Sequence, residues 1–182
     1  MISGGDLLRK VEVCTYNENW AQMFLEEAEK LNHIFKKELV AIHHIGSTSV
    51  PGLKAKPIID IMPVVKDINN VDKYNLEMQD IGYEPRGENG LAGRRYFQKG
   101  GDNRTHHVHI YQIGSYDIKR HLAFRDYLKA HPDEMKNYGD IKEKLAKQFP
   151  FDIESYINGK DELAKAIESE ALVWYDDNHH TL

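Results

Sequence analysis

The chain has 182 residues, of which 41% are hydrophobic and 29% charged, an ordinary composition for a globular chain long enough to bury one sizeable core. A formal net charge of −5 excludes a chain-wide basic footprint, so no nucleic-acid partner is expected, although a local basic pocket remains compatible with it. The single cysteine, Cys14, excludes an intramolecular disulfide, no apolar run approaches the ~18 residues that span a bilayer, and the first residues lack the apolar stretch of a signal peptide, so the expectation is a cytoplasmic protein with no membrane association.

Residues 1–9 read as a loose arm. Residues 10–15 alternate weakly, as a short edge strand or an extended lead-in, with Cys14 expected as a small core residue beside Val11 and Val13. Asn17 suits a helix N-cap, and Trp20, Phe24, Ala28, Leu31, Phe35 and Leu39 then recur at three- and four-residue steps, which predicts an amphipathic helix of about six turns. Residues 40–45 form a short strand that ends at Gly46-Ser47. Residues 58–65 are a near-continuous apolar run, the pattern of a strand buried on both faces. Val71, Tyr74, Met78 and Ile81 predict a helix over 71–81, stopped by Gly82. Residues 83–86 suit a strand. Residues 94–99 and 105–113 flank Gly100-Gly101-Asp102-Asn103 and predict a hairpin.

From Gly114 onward the pattern is helical. Ser115 caps a helix through Leu128, Pro132 opens a second that ends before Pro150, and a third covers about 152–175, with a frayed tail from Asp176. Strands cluster in the first part and helices in the second. The expected fold is therefore α+β, with a mixed-sheet core over 1–114 and a helical part over 115–182, packed as one unit.

Three features carry chemistry. A strand ending in Gly46-Ser47 lets backbone approach a ligand closely, and Ser47 and Thr48 offer hydroxyls and amides to an anion. Asp60 stands alone in an apolar strand, where an acid is costly to bury unless it is paired or bound to a cation. Strand alternation puts Ile58, Asp60 and Met62 on one face, and puts His107, His109 and Tyr111 on one face of theirs. If the two strands are neighbours, Asp60, His107 and His109 make a two-imidazole, one-carboxylate set, which suits a transition metal. Lys56, Arg94, Arg95 and Arg104 frame these stretches as candidate phosphate ligands.

The stretches HIGSTSVPGLKAKPIIDI, GRRYFQKGGDNRTHHVHIY and HLAFRDYLKAHP are together similar to the GrpB family, a bacterial group placed in the nucleotidyltransferase superfamily. The resemblance covers roughly residues 11–165. It implies a nucleotidyltransferase-like fold in which a Gly-Ser turn, here Gly46-Ser47, grips a nucleotide, and alternating strand acids hold a divalent metal. Asp60 matches the first acid. Met62 stands at the position of the second, and the strand of the third carries His107 and His109. The expectation is a pocket for a nucleotide or phosphorylated small molecule with magnesium, manganese or zinc. Either it transfers a nucleotidyl or phosphoryl group with Asp60, His107 and His109 as catalytic groups, or it binds without transfer, or it hydrolyses a phosphoester.

Overall fold

Trp20, Leu31 and Phe35 are fully withdrawn from water because the helix that carries them, α1 (Asn19–Phe35), lies flat on one face of a sheet. This computed structural model describes residues 9–179. The helix N-cap is Glu18 rather than the expected Asn17; Asn17, one residue earlier, accepts the Asn19 amide at Oδ1. The helix is shorter than its apolar spacing predicts. It ends at Phe35, and Leu39 belongs to the next strand, β1 (Leu39–Ile45).

Five strands form one sheet in the order β1-β2-β5-β4-β3. Strand β2 (Ile59–Val65) runs antiparallel to β1 and parallel to β5 (His106–Gln112). Strands β4 (Arg94–Lys99) and β5 make the expected antiparallel hairpin, and β3 (Tyr83–Pro85) closes the far edge, where Pro85 costs no internal ladder bond. The β2–β5 pairing skips Met62 and Pro63, consistent with a proline that has no amide hydrogen to donate. Between β2 and β3, the helix predicted over 71–81 is instead a 3-10 segment (Ile68–Tyr74) followed by the short α2 (Asn75–Asp80). Asp67 starts it by accepting the Asn69 amide, which favours the tighter turn.

Alternation sorts the side chains of the sheet. Ile59, Ile61, Val65, Phe97, Val108 and Ile110 point to α1 and α2 and make the main core. Asp60, Met62, His107, His109 and Tyr111 point to the other side, where α3 (Tyr116–Ala130), α4 (Pro132–Gln148) and α5 (Ile153–His179) gather. Ser115 caps α3 by accepting the Asp117 amide, and Pro132 occupies the first turn of α4. Helix α5 continues through Asp176–His179, so the fraying expected there does not occur among the described residues. Gly159 lets α5 approach α4, since a Cβ at that position would lie 2.6 Å from Leu145 Cδ2.

Of the two forms expected for residues 10–15 the structure has the extended lead-in, with a single bridge, Cys14 to Ala55. One further expectation is corrected. Cys14 is exposed rather than a core residue, while Val11 is buried against Ala146 and Tyr156. The arm expected over 1–9 lies, but for Arg9, outside the described residues. No helix of the described residues is long and apolar enough to cross a membrane.

Candidate functional site

Parallel pairing places Asp60 directly beside His107, so the acid and both imidazoles predicted from alternation share one face. His109 Nε2 lies 3.0 Å from Asp60 Oδ1 and His107 Nδ1 lies 3.5 Å from the same oxygen. Burial pushes the Asp60 carboxyl up, but the contacts to His107 and His109 outweigh it and hold the group well below the usual carboxylate range. The other carboxylate oxygen faces Gly46. Gly46 has φ +70, and a Cβ there would come within 2.7 Å of Asp60 Oδ2. Both the left-handed backbone and the close approach therefore require glycine at the end of β1.

After Gly46 the chain makes one 3-10 turn (Ser47–Ser49). Thr48 is buried, and its hydroxyl is engaged by His44 Nε2 at 3.0 Å. Burial, with Arg125 and Lys129 nearby, takes the His44 imidazole down to about 4, so it is neutral at physiological pH. Ser47 faces the other way, into a cavity of about 710 Å³ between the sheet and the three C-terminal helices.

The basic end of that cavity is assembled from three segments. Lys56 precedes β2, Lys142 comes from α4 and Lys160 from α5. Lys142 Nζ donates to Ser47 Oγ at 2.8 Å and lies 4.7 Å from the centre of the Tyr138 ring. Lys56 Nζ sits over the Tyr156 ring at 5.4 Å. Among the described residues none of the three ammonium groups has a carboxylate within ion-pair distance. Burial lowers all three, and mutual repulsion lowers Lys56 and Lys142 further. Lys142, only 3% exposed, falls to about 7. The opposite end is more nearly neutral. There Arg120 of α3 lies 3.1 Å from Asp117 and 3.6 Å from Glu168, and His121 is pushed down to about 3 by burial and by Arg120.

The arginines named from the sequence stand outside this cavity. Arg95 alternates onto the opposite face of the sheet and pairs with Asp72 at 2.9 Å. Arg94 is on the site face, but its guanidinium donates to the carbonyls of Glu88 and Asn89. Arg104 donates to Gln98 and to the Gly101 carbonyl in the hairpin loop. Lys56, also named from the sequence, does line the cavity, but the other cations there, Arg120, Lys142, Lys160 and Lys165, come from helices in which the sequence showed only apolar stripes. One signal was present: Lys142 lies one turn after Tyr138 and four residues before Ala146, in the buried stripe of α4, where a lysine needs a reason.

Asp60, His107 and His109 present ligand atoms within 4.8 Å of one another. Two imidazoles and one carboxylate fit a single transition ion. They do not fit a pair of magnesium ions, because the neighbouring inward position is Met62, which is fully buried against Ile45 and Tyr111. The remaining ring nitrogens, His107 Nε2 and His109 Nδ1, are buried without a hydrogen-bond partner.

This mixed sheet, with the Gly-Ser turn, strand acid and histidine pair on one face, defines a known class. The sequence profile described as GrpB protein matches residues 10–170, and the chain belongs to the GrpB family. The YqkA protein of Bacillus subtilis is 55% identical over 91% of this chain, which spans 48% of that relative's length. The glutamate-rich protein GrpB of Alkalihalophilus pseudofirmus is 34% identical over 88% of this chain and 95% of its own. The crystal structure of the conserved protein GrpB from Enterococcus faecalis superposes with a TM-score of 0.88 at 48% identity, covering 90% of this chain and 99% of that one.

Proposed function

We propose that the cavity binds a nucleotide or a related phosphorylated small molecule, with its phosphates at the basic end. The observation that carries this reading is the placement of Lys56, Lys142 and Lys160 in the lining of one cavity with Ser47, none of them with a carboxylate within ion-pair distance among the described residues. Charge buried without a partner is costly, and an anionic ligand removes that cost. Gly46 keeps the turn close to the ligand, and Ser47 adds a hydroxyl. A divalent ion held by Asp60, His107 and His109 would supply Lewis-acid polarisation of a phosphoryl oxygen. The lysines would offset charge that develops on the phosphate during nucleotidyl or phosphoryl transfer. The absence of a second inward acid at Met62 favours one ion over two, and for that reason supports phosphoester hydrolysis as a second reading.

Thermal unfolding tests the proposal. Each nucleoside triphosphate is added with magnesium, manganese or zinc, to the native chain and to Asp60→Ala. A ligand at a hundred times its dissociation constant adds about 2.7 kcal/mol, roughly 5–10 °C for a domain of this size. A metal-dependent rise with one nucleotide, reduced in Asp60→Ala, is the expected result. No rise with any combination, nor with inorganic pyrophosphate, refutes the reading.

A further inference from the structure

Of the three lysines at the basic end of the cavity, one differs from the other two. Lys142 is buried, while Lys56 and Lys160 keep partial access to water. Its ammonium is fixed by Ser47 Oγ on one side and by the Tyr138 ring of its own helix on another. The charged groups that face it from the packed elements are Lys56 from the segment before β2, Lys160 from α5 and Asp60 from β2. Two of these repel it, and the third is already engaged by two imidazoles. Loss of its proton is the relief open to such a group, and a lysine made neutral by burial and neighbouring cations is a nucleophile.

We propose that Lys142 is a nucleophilic amine, and that the basic end of the cavity captures a phosphorylated aldehyde or ketone as a Schiff base on Lys142, with Lys56 and Lys160 holding the phosphate. The inference rests on the anion-binding reading above and narrows its ligand to a short molecule with a carbonyl near its phosphate. The step balances without an oxidant or a further reactant. The Lys142 nitrogen lone pair attacks the carbonyl carbon, and the oxygen takes up a proton to give a carbinolamine. That intermediate then loses one water, its hydroxyl leaving with the remaining nitrogen proton, to give the imine, which takes up a proton from solvent to become the iminium. Ser47 Oγ, 2.8 Å from Nζ, is placed to pass the proton between nitrogen and oxygen.

The test uses glycolaldehyde phosphate on the whole chain, followed by borohydride reduction and peptide mass spectrometry. The expected adduct is a secondary amine on Lys142, formed at least tenfold faster than with unphosphorylated glycolaldehyde and suppressed by inorganic pyrophosphate. Its rate rises with pH through about 7 and then levels. Lys142→Met loses the adduct. Lys160→Gln, which leaves the amine in place and guards against a variant that fails to fold, still forms the adduct on Lys142, with the rise in rate moved to higher pH because a repelling cation is gone, and loses most of the preference for the phosphorylated aldehyde. Adducts scattered over exposed lysines such as Lys36 and Lys136, or equal rates with the two aldehydes, overturn the inference. If pyrophosphate still raises the melting temperature while Lys142 stays unmodified, this inference fails alone. If pyrophosphate has no effect and Lys142 stays unmodified, the anion-binding reading fails with it.

Discussion

Replacing Lys142 by Met should make the unliganded protein more stable while weakening its response to ligand. In the native cavity the Lys142 ammonium falls from the usual 10.5 to about 7, chiefly by burial, then by Lys160 and Lys56. At about 1.4 kcal/mol per unit, that is a penalty on the order of 4–5 kcal/mol. The substitution also removes the bond to Ser47 Oγ, a charge-assisted hydrogen bond worth about 2 kcal/mol. Methionine fills a similar volume beside Tyr138, so the expected net gain at pH 7 is about 2–3 kcal/mol, or roughly 5–10 °C in melting temperature. The sign of the pH dependence follows from linkage. Between about 7 and 10.5 the unfolded lysine binds a proton that the folded one does not, so this group makes native stability rise with pH across that window. Urea unfolding at pH 7 and pH 10 measures both effects. The native chain should gain stability toward pH 10 relative to Lys142→Met, and the thermal shift with pyrophosphate should shrink in the variant, which keeps Lys56 and Lys160. A variant less stable than the native chain at pH 7, with the same pH slope, would refute the claim that this buried charge waits for an anion.

Gly46→Ala should cost about 1–3 kcal/mol in urea unfolding, since alanine is strained at φ +70 and its Cβ would press on Asp60 Oδ2; an unchanged midpoint would contradict the close approach described. Asp60 has a folded value below its unfolded one, so its contribution is present above the unfolded value near 4 and is lost as pH falls through the lowered one. Asp60→Asn should therefore narrow the stability gap between pH 6 and pH 2, as read by acid unfolding followed by circular dichroism. Arg95→Ala should leave phosphate-ligand affinity within about twofold, because Arg95 lies on the far side of the sheet and pairs with Asp72 there; a large loss of affinity, measured by calorimetry, would place the ligand elsewhere.

Much of the sheet side of the site was legible in the sequence. A two-residue period fixes which side chains share a face, so Asp60 with Met62 and His107 with His109 followed directly. Only the adjacency of β2 and β5 had to be supplied by the fold. The Gly46-Ser47 turn was legible for a similar reason, since the left-handed backbone and the approach to Asp60 both act within one short loop. The arginines were harder. Arg94 and Arg95 are neighbours in sequence, yet strand alternation sends them to opposite faces, and local partners at Glu88, Asn89 and Asp72 take both. The helical half was least legible. Lys142, Lys160 and Arg120 reach the cavity only through the way α3, α4 and α5 pack, which the period of each helix alone does not determine. The end of α1 shows the same limit. Leu39 continues the helical spacing, but pairing with Val65 commits it to β1.

The most direct measurement is a crystal structure of the protein soaked with a non-hydrolysable nucleoside triphosphate and manganese. The account predicts phosphate density between Ser47, Lys56, Lys142 and Lys160, and an anomalous peak between Asp60, His107 and His109. Phosphates bound at Arg94, Arg95 or Arg104 instead, with the three lysines left without an anion, would contradict it.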